Sequence, residues 1–264
     1  MIKLESSSAD PIEQLAEVKE RIRKEPQRAD LRIFLFQLYC LMGEWAKAGN
    51  QLDTLSELDP QAESMVRTYR EALRCEALRK EVFAGAKTPL VLGDPADWLA
   101  GLIEALSLSA AGHHAQARDL RDRSLETAPA TAGSIDGQAF AWIADADSRM
   151  GPVLEAIVNG KYYWVPYQRL GRIVLEPPAD LRDLVWMPAT LTFVNGGENV
   201  ALIPSRYPGT EACADRPLLL ARRTEWRDLG AETYAGLGQR MLATDQGEYA
   251  LLDIREIALS PGNG

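Results

Sequence analysis

The sequence predicts an α+β protein with an all-helical repeat region over residues 1–130, followed by an α+β domain over 135–264 built on a mainly antiparallel sheet. Three observations lead there. Apolar residues recur at spacings of three and four through the first 130 positions. The segment 43–60 returns in outline at 112–129. From residue 162 onward, short β-branched and aromatic runs alternate with Gly, Pro and Asn-Gly signals.

Taken in order, Asp10-Pro11 reads as a helix cap with proline at the first helical position, and Ile12, Leu15, Val18 and Ile22 supply one apolar stripe, ending near Pro26. A second helix runs from about Asp30, with Leu31, Leu35, Leu38 and Met42 on one face, and stops at Gly43. Glu44 to Leu58 is its antiparallel mate, closed by Asp59-Pro60. The string GEWAKAGNQLDTLSELDP and its echo GHHAQARDLRDRSLETAP match at Gly43/Gly112, Ala46/Ala115, Ala48/Ala117 and Pro60/Pro129. Small residues let paired helices approach and glycine allows the reversal, so the region reads as TPR-like, with Phe36, Tyr39 and Ala48, or Ala105, Leu108 and Ala117, at packing positions. Between the copies, Glu63 to Ala84 is a long helix whose Arg and Glu residues stand three and four apart, as on a solvated face. Stacked hairpins of this kind form a groove for a partner's helix or peptide, or else simply pack on the following domain.

After the small-residue linker 128–137, the segment QAFAWIADADSRMGPVLEAIVNG reads as one helical stretch interrupted at Gly151-Pro152. Strand-like runs follow at 162–167, 172–175, 184–194, 200–203, 218–224 and 249–254, and Asn195-Gly196-Gly197 marks a hairpin.

The chain has 29 basic and 38 acidic residues, a net charge of −9, and no Lys/Arg stripe in either half, which argues against nucleic-acid binding. Cys40, Cys75 and Cys213 are odd in number and lack close pairing, so core packing is expected rather than a disulfide or zinc site. The opening residues MIKLESSSADP hold no apolar signal core, and no apolar run is long enough to span a bilayer; no membrane association and a cytoplasmic location are expected.

Several strings are specific. LFQLYCLMGEWAKAGNQL, IADADSRMGPVLEAIVNGKYYWVPY, DLRDLVW, PSRYPGTE, TEW and GLGQRML, in this order and across essentially the whole chain, resemble the ImpE-like, also called TagJ-like, family of type VI secretion accessory proteins. The resemblance implies a cytoplasmic, non-enzymatic protein that binds an N-terminal helix of the small contractile-sheath subunit. It further implies modulation of sheath assembly or of its recycling by a ring-shaped AAA+ ATPase, with which contact would be indirect.

No catalytic set, metal site or cofactor site is expected. His113 and His114 are adjacent, diverge on a turn, and have no ligand-spaced partners. Asp145 and Asp147, with Arg149, stand two apart and do not face each other on a helix, so an Asp–Arg network is the expected role; Asp180 and Asp183 around Arg182 read the same way. An enzyme built on the first trio requires these residues in an open pocket. Gly236-Leu237-Gly238 lacks the rest of a phosphate loop and reads as a turn into a strand or short helix.

A partner helix has two candidate surfaces. One is formed by Ile33, Phe34 and Gln37; the other is the aromatic run Tyr162, Trp164 and Tyr167. In a strand, Tyr162 and Trp164 point one way and Tyr163 the other, so one face fills the core and the other remains available. Residue types alone do not separate core from hot spot here.

Overall fold

The computed structural model describes residues 10–93 and 96–260; the signal-segment reading concerns residues 1–9 and lies outside them. Asp10 caps α1 (Pro11–Lys24), accepting a hydrogen bond from the Ile12 N–H at 3.1 Å, with proline where no helical donor is lost. α2 (Ala29–Leu41) and α3 (Trp45–Leu58) form one hairpin, α5 (Asp97–Ala110) and α6 (His114–Thr127) the matching one, and the 21-residue α4 (Glu63–Phe83) lies between them. Each hairpin reverses at the expected glycine, Gly43 or Gly112, at φ +67° and +84°. Ala48 and Ala117 are buried between the paired helices. Nine of the 13 residues of α2 are buried, which makes it the central helix of this layer.

The remainder is mostly sheet. β1 (Leu90–Val91), β2 (Ala132–Ile135), β3 (Gln138–Phe140), β4 (Ile143–Asp145), β5 (Val153–Val158), β6 (Lys161–Pro166), β7 (Leu170–Leu175), β8 (Trp186–Phe193) and β9 (Glu198–Pro204) precede the one-turn α7 (Arg216–Leu219). β10 (Thr224–Asp228), β11 (Tyr234–Gly238), β12 (Met241–Thr244), β13 (Gly247–Ala250) and β14 (Glu256–Ser260) follow it. The large sheet has the order β1-β6-β5-β9-β8-β7-β14-β2-β3, antiparallel throughout except for β1 beside β6. β10-β11 and β13-β12-β4 are smaller antiparallel sheets.

Three stretches depart from the sequence reading. Residues 138–160 hold β3, β4 and β5 rather than a helix. Every residue of β5 is buried, so its apolar run carries no two-residue period, and left-handed Asn159-Gly160 turns it directly into β6. Residues 218–224 are mostly α7 and its exit, because Asp215 caps that turn and Ala221 takes a positive φ. Residues 249–254 are the end of β13 and a 3-10 turn at Leu251–Asp253.

One apolar core runs through both parts of the chain, from Val18, Leu31 and Val66 to Trp164, Trp186 and Ile257. The helices cover one face of the large sheet: Tyr69 of α4 and Trp45 of α3 pack on Trp186, and Phe83 packs on Trp164. Polar links reinforce the contact, with the Trp186 indole donating to Glu76 at 2.8 Å and the Arg206 guanidinium donating to the Leu41 carbonyl at 2.9 Å. The edge strand β1 also comes from the helical part of the chain.

Candidate functional site

Side-chain alternation along β6 sorts its aromatics. Tyr162 and Trp164 point toward α4 and are 1% and 0% exposed, while Tyr163 turns to the opposite face and is half-buried. Tyr167, on the turn after β6, is likewise fully buried. Tyr162, Trp164 and Tyr167 are therefore core residues in this chain and offer no surface. Of the first candidate set, Phe34 and Gln37 are buried in α2 and Ile33 is half-buried against the core. Packing of α2 against α1, α3 and the core covers most of the face that those three residues were expected to present.

Behind β6 sits a buried ionic network. Glu155 of β5 accepts from Arg79 Nε at 2.7 Å and Nη2 at 3.0 Å, and also from Arg240 and the Tyr162 hydroxyl. Burial opposes its charge, but Arg79 and Arg240 outweigh that and hold its pKa down to about 2. Glu76, 3.5 Å from Arg79, is raised by burial despite the same arginine. Asp145 pairs with Arg240 and accepts from the Tyr207 hydroxyl at 2.9 Å; burial, only partly offset by Arg240, pushes its pKa up to about 6.

Asp147 accepts from Arg149 Nη2 at 2.6 Å and from the Gly236 N–H at 2.9 Å. Asp145 and Asp147 are thus buried, paired, and not in an open pocket; they tie the end of β4 to β11 and to Arg240, which also pairs with Glu155 and so links them to Arg79 of α4. Asp180 pairs with Arg182, whose guanidinium stacks on Tyr69, and Asp183 accepts the Ala179 and Asp180 N–H groups. Gly236 lies within β11, where a Cβ would meet the Tyr207 ring at 2.2 Å, so glycine serves close packing there. His114 Nδ1 lies 3.4 Å from the Ser109 hydroxyl. Among the described residues, no three His, Cys, Asp or Glu side chains are grouped to hold a metal, and no helix is long and apolar enough to cross a membrane.

The face of the sheet away from α4 carries an open cleft of about 380 Å³. Its apolar wall comes from Leu92, Val158, Tyr163, Phe193 and Val194, and its polar lining includes Asn159, Asn195, Asn199 and the charged Arg169. Two hairpin tips frame it, β5–β6 at Asn159-Gly160 and β8–β9 at Asn195-Gly196, both with positive φ at glycine. In the second, Asn195 Oδ1 accepts the Gly197 N–H at 3.0 Å, as its Asn-Gly signal predicts. Val194 is 52% exposed, and Leu90, paired with Tyr163 across β1–β6, is 45% exposed. An apolar trough with carboxamides and one guanidinium at its edge suits an amphipathic peptide or helix, and its lining contains no hydroxyl nucleophile other than the Tyr163 phenol and no carboxylate. Tyr163 was the unclaimed residue of the aromatic run; the other walls lie far apart in sequence and leave no local signal.

Comparison with known proteins agrees with this architecture. A family model described as ImpE protein matches residues 137–258. The type VI secretion system accessory component TagJ of Pseudomonas aeruginosa strain PAO1 is 52% identical over 247 residues, 94% of this chain and 86% of that protein. A crystal structure of a Vibrio parahaemolyticus protein superposes with a TM-score of 0.84 at 21% identity, covering 93% of this chain and 92% of that one, and so shares the fold. At 52% identity to TagJ over 94% of its length, and with its second half matched by the family model, the chain belongs to the ImpE family, alongside TagJ.

Proposed function

We propose that this protein is a type VI secretion accessory component that works in the cytoplasm by binding rather than catalysis. Its cleft captures the apolar face of an N-terminal helix from the small sheath subunit, and so influences sheath assembly or recycling by the AAA+ ATPase. The observation that carries the reading is the open trough beside Tyr163 and Phe193, framed by two rigid hairpin tips. The name of its TagJ relative supplies the secretion context. Half-buried aromatics in a preformed trough are suited to be anchors, each contributing about 2 kcal/mol when a partner desolvates it.

The test is isothermal titration of the full chain with a peptide covering the first helix of the small sheath subunit. Saturable binding is expected at micromolar affinity or tighter, lost when the peptide's apolar face is made polar. Tyr163→Ala is expected to weaken it about thirtyfold, the equivalent of about 2 kcal/mol. No binding by the folded chain sends the search to another secretion component, such as the ATPase or the assembled sheath. Binding indifferent to Tyr163 removes the cleft from the proposal.

A further inference from the structure

A second surface lies on α4, where the helix faces away from the sheet. Arg67, Arg70 and Arg74 stand at i, i+3 and i+7, one row spanning about 10 Å along the helix. They border a groove of about 370 Å³ between α4 and the end of α3, with Ser56 and Pro60 on the far side and buried Val66 at its floor. Glu63 also borders it and is the single carboxylate among the described lining residues.

The sequence leads one to expect these arginines to be neutralised within the helix, and they are not. Glu71 stands four residues from Arg67 and three from Arg74, but it is turned to the Asn159-Gly160 hairpin, where a Cβ on Gly160 would meet its carboxylate at 2.3 Å. Arg67 and Arg74 make no ion pair with any described carboxylate; Arg74 donates only to the Arg70 carbonyl, at 3.4 Å. Arg70 is braced by Asp53, which accepts from its Nε at 3.1 Å and Nη2 at 2.6 Å. Several other exposed arginines of this acidic chain are paired: Arg28 takes Glu25 and Asp30, Arg118 takes Asp122 and Glu232, Arg172 takes Glu256, and Arg223 takes Asp215 and Glu225; exposed Arg123, like Arg74, donates only to a backbone carbonyl, but it borders no groove with a second such arginine.

We infer that this groove docks an acidic helical segment of a partner protein, its carboxylates at i, i+3 and i+7 meeting the arginine row. Charge complementarity selects the occupant: each guanidinium fork can take both oxygens of a carboxylate, and in a chain of net charge −9 a groove bordered by three arginines and one glutamate is a local site for an acidic partner. The site is distinct from the cleft. Tyr163 faces away from α4, whereas the arginines line the outer side of that helix.

The probe is a synthetic helical peptide with glutamates at i, i+3 and i+7 and leucine between them, titrated against the full chain by fluorescence anisotropy. Expected is salt-sensitive binding that falls about tenfold or more in the R67E/R74E variant and is unchanged in Tyr163→Ala. Both arginines are exposed, and a circular dichroism melt of the variant checks that it is folded. Equal affinity for the peptide with glutamine in place of glutamate overturns the inference, as does unaltered binding by the double variant. Binding of a single-stranded oligonucleotide through the same arginines, with none of the peptide, overturns it as well.

Discussion

Glutamine in place of Glu155 isolates the ion network that joins helices to sheet. Three buried carboxylates, Glu76, Asp145 and Glu155, face three buried guanidinium groups, those of Arg79, Arg206 and Arg240. Glu155→Gln keeps the shape and removes one negative charge, leaving Arg79 with Glu76 at 3.5 Å and the Arg206 carbonyl at 2.8 Å, and Arg240 with Asp145 and the Pro204 carbonyl at 2.9 Å. Breaking a buried pair from one side costs about 3–5 kcal/mol. The depression of the Glu155 pKa from 4.5 to about 2 points to a similar figure, about 3 kcal/mol. In urea, followed by far-UV circular dichroism, the midpoint should fall by about 1 M at unchanged slope. Adding Arg79→Met restores the balance of charge, so the double variant should recover at least about 1 kcal/mol of the loss. A loss under about 1 kcal/mol for Glu155→Gln, or strictly additive losses in the double variant, would refute the charge-balance argument.

Two further perturbations follow from the same geometry. Glu155 has its pKa lowered on folding, so its contribution is complete above pH 4.5 and disappears as the pH falls toward 2; Asp145 has its pKa raised, so its contribution is present below pH 3.8 and is lost as the pH rises through 6. Urea midpoints measured from pH 2 to 7 should therefore show a steep acid limb that Glu155→Gln flattens, while Asp145→Asn removes a decline between about pH 4 and 6. Gly236→Ala places a methyl against the Tyr207 ring, which cannot retreat because its hydroxyl is held by Asp145 at 2.9 Å and the Met241 N–H at 3.0 Å. A loss of about 1–3 kcal/mol is expected by thermal denaturation.

Much of the helical layer was legible because its signals are local. Asp10-Pro11 fixes a helix start within two residues, and Gly43 and Gly112 each fix a reversal through a single backbone angle. Asn195-Gly196 worked the same way for a hairpin. Its twin, Asn159-Gly160, was equally strong but lay at the end of VLEAIVNG, whose apolar residues, broken only by Glu155, suit a buried helix as well as a strand covered on both faces. The edge strand β1 has only two residues and its pairing is parallel, so no turn announces it. At the site, the alternation of Tyr162, Tyr163 and Trp164 was readable, but which face the helices would cover depended on Arg79 and Glu155, 76 positions apart.

That dependence ties the site to the fold. Strand β6 is the back wall of the cleft through Tyr163, and the same strand is pinned from behind by Tyr162 and Trp164, whose indole donates to the Tyr162 hydroxyl at 2.9 Å while Tyr162 donates to Glu155. Tyr163 therefore sits on a strand whose alternate side chains are locked by a network reaching into α4. Rigid aromatic anchors lose little freedom when a partner arrives, so interaction energy is retained as affinity. Glu71 of α4 turns toward the Asn159-Gly160 tip that frames the cleft, and in doing so leaves Arg67 and Arg74 unpaired on the outer side. The side chain that packs over one end of the cleft at Gly160 is thus also the carboxylate missing from the arginine row.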